Sequence, residues 1–186
     1  MTDKNIILAS ASPRRKELLA NNGVSFEVLV SDADESIKEG TSPFDAVMLI
    51  SKRKAEEIKN LIKDDSKIII AADTVVALGN EIMGKPKDEA DAFAMLKRLS
   101  NKAHSVFTGV TIIKNKAADT FFVESKVYFK DISDSDILDY IATKEPMDKA
   151  GSYAIQGIGS KLIEKYEGDY DNIVGLPVSE VIKRIN

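Results

Sequence analysis

The chain has 186 residues, 44% of them hydrophobic and 30% charged, with a formal net charge of −4; at this length one core can bury roughly 70% of the unfolded surface, and we read a single domain over residues 1–186. The negative balance gives no general attraction to nucleic acid or acidic membranes, so an anion site has to be a local concentration of cations. The absence of cysteine excludes disulfides and thiolate-bound metals, and the single histidine, His104, excludes the usual zinc ligand sets.

The apolar run Ile6 to Ala9 is too short for a signal-peptide core, and no stretch approaches membrane-spanning length. A cytoplasmic protein engaging neither membrane nor nucleic acid is the expectation. Asn5 to Ala9 predicts a strand, followed by a helix with Ser12 as N-cap, Pro13 at its first position and Gly23 just past its end. Alternation of Phe26, Val28 and Val30 predicts a second strand. The acidic segment "SDADESIKEG" precedes a helix from about Pro43 to Ile62 with Val47, Ile50, Ala55, Ile58 and Ile62 on its apolar face.

Lys67 to Ala72 reads as a strand covered on both faces, placing Asp73 of "ADT" at its C-terminal end. Gly79-Asn80 predicts a hairpin joining Val75–Leu78 to Glu81–Met83, and a helix follows from about Asp88 to Leu99. A second hairpin joins Ser105–Lys114 to Thr120–Lys130 through "NKAAD". Ser133 to Thr143 reads as a helix with Ile137, Leu138 and Ile141 on its apolar side, stopped by Pro146. After "KAGSYAIQGIGS" come a short strand near Lys161–Tyr166, a turn-like "EGDYDN" and a last helix from near Pro177. The order is α/β, with a mixed sheet flanked by helices.

"ASASPRRKELL" puts Arg14, Arg15 and Lys16 at an electropositive helix start, where an anionic ligand would remove the repulsion. Ser10, the backbone N–H groups near Ser12, and Arg14 together suit phosphate oxygens; the alternative is a capped surface helix with its arginines in water. Neither a Walker A loop nor a dinucleotide fingerprint is present. Asp73, with Asp34 and Glu35 of the acidic loop, suits Mg²⁺, which takes one or two carboxylates plus substrate phosphates; turn capping and a solvated loop are the alternatives. Lys85 in "GKP" is held in a tight path, whereas Lys54 follows Lys52 and Arg53 on what reads as a charged helix face. His104 has nothing nearby to complete a catalytic site. Gly157 and Gly159 of "AIQGIGS" allow close approach to a flat ligand or simply form a turn, and Gln156 can read a base edge.

The motifs "LASASPRRKELL", "AADTVV", "GKP", "LKRLSNKAHSVFTGV", "KEPMDKAGSYAIQG" and "VGLPVSEV" run in order along nearly the whole chain. Together they resemble the Maf-like proteins, nucleoside triphosphate pyrophosphatases associated with septum formation. The resemblance implies two lobes with a deep cleft, similar to the inosine triphosphate pyrophosphatases, and hydrolysis of a nucleoside triphosphate to monophosphate and pyrophosphate. It assigns Ser10, Arg14, Arg15, Lys54 and Lys85 to the phosphates, and Glu35 and Asp73 to a divalent metal, Mg²⁺ ahead of Mn²⁺ or Co²⁺. Asp73 would also orient or deprotonate the attacking water.

Arg14, Thr74 and Gln156 resemble the branch acting on dTTP and UTP, as opposed to the branch acting on 7-methyl-GTP. Three questions stay open at this level. One is whether a nucleotide-binding regulator of septum formation, or a broader pyrophosphatase for modified nucleotides, describes the chain better. The others are whether Asp34 or Glu35 meets the metal, and whether the chain forms a homodimer.

Overall fold

The computed structural model describes residues 5–186, so the first four positions of the domain expected over 1–186 lie outside the described residues. One seven-stranded sheet has the order β2-β1-β3-β5-β6-β7, with β4 on β3. Its strands are β1 (Ile6–Leu8), β2 (Glu27–Val28), β3 (Ile68–Leu78), β4 (Glu81–Met83), β5 (Ala103–Lys114), β6 (Ala117–Phe129) and β7 (Ile163–Glu167). Strands β1, β2 and β3 are mutually parallel, and all other pairs are antiparallel. Among the described residues six α-helices accompany the sheet: α1 (Pro13–Asn21), α2 (Pro43–Ile62), α3 (Glu89–Leu99), α4 (Asp134–Ala142), α5 (Tyr170–Val174) and α6 (Val178–Ile185). This is the mixed α/β sheet expected. No described helix is long and apolar enough to cross a membrane.

Alternation along β3 distributes the core. Ile69 and Ala71 pack with Ala55 and Ile58 of α2, while Ile70 and Ala72 pack with Leu19 of α1 and Val178, Val181 and Ile185 of α6. Further along, Val76 of β3 and Val106 of β5 join a separate cluster built with Leu96 and Leu99 of α3 and Ile137, Tyr140 and Ile141 of α4. The long strands thus run through these three clusters, one on each face of the sheet near β1 and a third around Val76.

Strand β3 departs from expectation. It is unbroken from Ile68 to Leu78, so Asp73 sits mid-strand instead of at a strand end. Strand β5 pairs with it from Ile69 to Ala77 and carries it past that point. The opposite edge is discontinuous: β1 covers Ile68 to Ile70, β4 covers Val76 to Leu78, and neither pairs with the segment around Asp73.

Other departures are local. The β5–β6 turn is confined to Asn115 and Lys116, both at positive φ (51° and 69°), and Ala117 to Asp119 of the expected turn belong to β6. This is the two-residue hairpin geometry that matches strand twist. Strand β2 covers only Glu27 and Val28, because β1 is itself three residues long and offers no further partner. Leu138 is exposed and Tyr140 takes its expected place on the inner face of α4. That helix already ends at Ala142 with Thr143 as its C-cap, ahead of Lys144 at φ 63°, while Pro146 lies in a following 3-10 turn. The segment "EGDYDN" includes the start of α5, capped by the Asp169 side chain on the N–H groups of Asp171 and Asn172.

Gly109 lies opposite Asp73 in β5, under α2. A Cβ there would sit 2.4 Å from the Val47 carbonyl carbon and oxygen, so the missing side chain sets how closely α2 approaches the sheet. Gly109→Ala is expected to cost about 3 kcal/mol, a fall of roughly 6–12 °C in Tm by circular dichroism. An unchanged Tm would show that α2 is not held by this contact.

Candidate active site

The uncovered edge of β3 faces a cleft of about 640 Å³, and the nine side chains that the family resemblance assigns to a site all line it. The two faces of β3 hold two different arrangements there. On the α2 face, Lys54 extends from the helix so that its Nζ lies 3.0 Å from Asp73 Oδ1 and 2.6 Å from Glu35 Oε1. Lys54 sits seven positions, about two turns, after Val47, the residue that rests on Gly109. The charged-face reading of Lys54 is therefore replaced: its side chain is 11% exposed. Asp73 Oδ2 makes no hydrogen bond among the described residues and is open to the cleft.

Adjacent Arg53 holds the loop that carries Glu35, donating from Nη1 to the carbonyls of Asp34 (3.1 Å) and Ser36 (2.6 Å). Asp34 turns away, accepting from Ser36 N (2.9 Å) and Oγ (2.6 Å), and the Ser36 hydroxyl bond is the main influence lowering its pKa below the usual aspartate value. Of the two acidic neighbours it is Glu35 that meets Lys54.

On the α1 face, each of the three side-chain nitrogens of Arg15 donates to a protein acceptor. Its Nε donates to Gly175 O (2.8 Å), Nη1 to Ser10 Oγ (3.3 Å) and Nη2 to Thr74 Oγ1 (2.9 Å). Burial pulls its pKa below the ordinary arginine value, an effect that Asp73 opposes; the guanidinium stays charged. Ser10 also accepts from Ser12 N (3.2 Å), and Ser12 makes no side-chain cap of its own. Thr74 further bonds Thr108 Oγ1 at 2.9 Å. Ser10, Arg15 and Thr74 therefore brace α1, β3 and the end of α5, where Gly175 has φ 134°.

Arg14, Lys85 and Gln156 line the same cleft, and their side chains make no hydrogen bonds among the described residues. Sequence reasoning missed Lys149, which also lines the cleft and pairs with Asp148. Nothing in "MDKAGS" sets it apart from a surface lysine. In all, five cations and three carboxylates line the cleft, a local excess of positive charge in a chain of net charge −4. His104 lies elsewhere: it is buried, with Nε2 2.7 Å from Tyr153 Oη, and burial lowers its pKa to about 4.

Glu35 and Asp73 fit a divalent ion of the Mg²⁺ type in one respect: two carboxylates converge on a single point occupied by one ammonium. Among the described residues no cluster of three or more His, Cys, Asp or Glu could cage a metal alone. A site of two carboxylates that leaves the rest of the shell to water and phosphate is the arrangement Mg²⁺ prefers.

Comparison with known proteins gives sequence relatives along the whole described chain. A dTTP/UTP pyrophosphatase of Clostridioides difficile is 49% identical over 95% of this chain and 91% of its own. Proteins of the same name from Caldicellulosiruptor bescii and Bacillus cereus are 48% and 46% identical, over 94% and 98% of this chain and 90% and 89% of theirs. Among solved structures, the Ham1 protein of Staphylococcus aureus is 15% identical, with a TM-score of 0.48 over 85% of this chain and 79% of that one. The family model described as "Maf-like protein" matches residues 5–186, and the chain belongs to that family.

Proposed function

We propose that this chain hydrolyses dTTP and UTP to the nucleoside monophosphate and pyrophosphate. The observation that carries the reading is the cleft itself: Arg14, Lys85 and Lys149 line the same cleft in which Asp73 and Glu35 converge on Lys54. The names of the relatives supply the base. A regulator that only sensed nucleotide would use the cations and have no need of the paired carboxylates, so it is not favoured.

In this mechanism Arg14 and Lys85 hold the triphosphate and stabilise charge developing on the departing pyrophosphate. Lys54 fixes the rotamer of Asp73 through Oδ1. Asp73 Oδ2 then accepts a hydrogen bond from water and orients it in line with the α-phosphorus, taking its proton as the new P–O bond forms. A metal held by Glu35 and Asp73 would neutralise phosphate charge when bound. Arg14 and Gln156 face the nucleotide directly, whereas Thr74 acts on the base through Arg15 and the α1 backbone.

Pyrophosphate release from dTTP, UTP, CTP, 7-methyl-GTP and ITP, with Mg²⁺ or with chelator, tests the assignment. Metal-dependent release favouring dTTP and UTP is expected, and nucleotide binding without release would overturn it. Asp73→Asn should lower kcat by about two orders of magnitude or more with Tm retained, the scale of losing a general base; near-normal turnover would remove Asp73 from that role. Lys85→Ala should raise KM more than it lowers kcat, and unchanged kinetics would take it out of the site. Arg15→Ala should destabilise the fold by about 2 kcal/mol or more, roughly 4–8 °C in Tm, while Arg14→Ala leaves Tm unchanged and weakens activity. Equal Tm values would contradict the division between bracing and ligand-facing arginines.

A further inference from the structure

Gln156 is exposed, yet the backbone on either side of it is tightly seated. The seat is Glu145, at the start of the 3-10 turn Glu145–Asp148. Its Oε2 accepts from Ile158 N (3.1 Å), and its Oε1 accepts from Gly159 N (2.9 Å) and from the Tyr140 hydroxyl (2.9 Å). The same Tyr140 oxygen accepts from Ala154 N at 3.3 Å, two residues before Gln156. Burial alone would raise the Glu145 pKa, but the Gly159 and Ile158 N–H bonds and the Tyr140 hydroxyl outweigh it and hold the carboxyl below the usual glutamate value. Burial, aided by Glu145, pushes the Tyr140 phenol upward, so it remains a donor.

The glycines of "AIQGIGS" make room for this seat, in line with the turn alternative of their sequence reading. At Gly157, φ is 75° and a Cβ would lie 2.7 Å from Glu145 Oε2; at Gly159 one would lie 2.5 Å from both the Tyr140 hydroxyl and the Ala154 carbonyl oxygen. The Gln156 backbone is thus gripped from both sides by one carboxylate and one phenol, while its side chain is left to the cleft.

We infer that Glu145, with Tyr140, is a positioning residue for nucleotide recognition, holding Gln156 where its amide meets the base. The inference rests on the proposed nucleotide hydrolysis and deepens it. Glu145→Gln keeps the shape but sets an amide donor against a backbone N–H that needs an acceptor. The test compares kcat and KM for dTTP and UTP in wild type, Glu145→Gln, Gln156→Ala and the double variant. Each single variant is expected to raise KM about tenfold, the scale of one lost hydrogen bond to the base, with kcat within about threefold.

The double variant should be no worse than Gln156→Ala alone, because the carboxylate acts only through that amide. Effects that multiply in the double variant, or a fall in kcat at unchanged KM, would overturn the inference. Tyr140→Phe, which removes one hydroxyl, should give a smaller KM increase that also vanishes in the Gln156→Ala background, and it decides the matter if Glu145→Gln does not fold. A wild type that releases no pyrophosphate would overturn the proposed function instead. In that event dTTP dissociation constants from calorimetry on the same proteins distinguish coupling from independence.

Discussion

Strand β3 changes partners along one edge, and the site exists because of the gap. Strand β1 stops at Leu8 opposite Ile70, and β4 begins its pairing at Val76. Between them β3 pairs, among the described residues, only with β5, so its ladder continues while one edge is open. Adjacent residues of a strand face opposite sides of the sheet, and here that rule sends Asp73 toward α2 and Thr74 toward α1. One strand segment therefore serves two networks at once, an ionic one around Lys54 and a bracing one around Arg15.

Each network is anchored by a cation from a helix. Lys54 is nearly buried, and an ammonium in that position is tolerable only with close acceptors, which Asp73 and Glu35 provide. Its reach depends on α2 lying close to the sheet, hence on Gly109. Arg15 is the corresponding group on the other face, with Nε and both terminal nitrogens bonded to protein acceptors. Consecutive arginines in "SPRR" thus differ: Arg15 ties three elements together, whereas Arg14 lines the cleft with no side-chain hydrogen bond among the described residues.

Much of this was legible in the sequence. Helix α2 runs over Pro43–Ile62 as its periodicity indicates, and the Gly79-Asn80 hairpin and the Ser133 cap lie where their residues place them. Local chemistry determined those features. What escaped depends on distant partners. Asp73 looked terminal because the apolar run ends at Ala72, yet β5 carries the strand onward. Lys54 looked solvated beside Lys52 and Arg53, since only the sheet beneath α2 reveals its partners. Glu145 gave no signal either: its acceptor role is set by backbone N–H groups more than ten residues away.

Attack of water at the α-phosphorus leaves a distinct isotopic signature. Hydrolysis of dTTP in ¹⁸O-labelled water, followed by mass spectrometry of both products, should place one labelled oxygen in the thymidine monophosphate and none in the pyrophosphate. Label in the pyrophosphate, or release of labelled orthophosphate, would show that water attacks elsewhere.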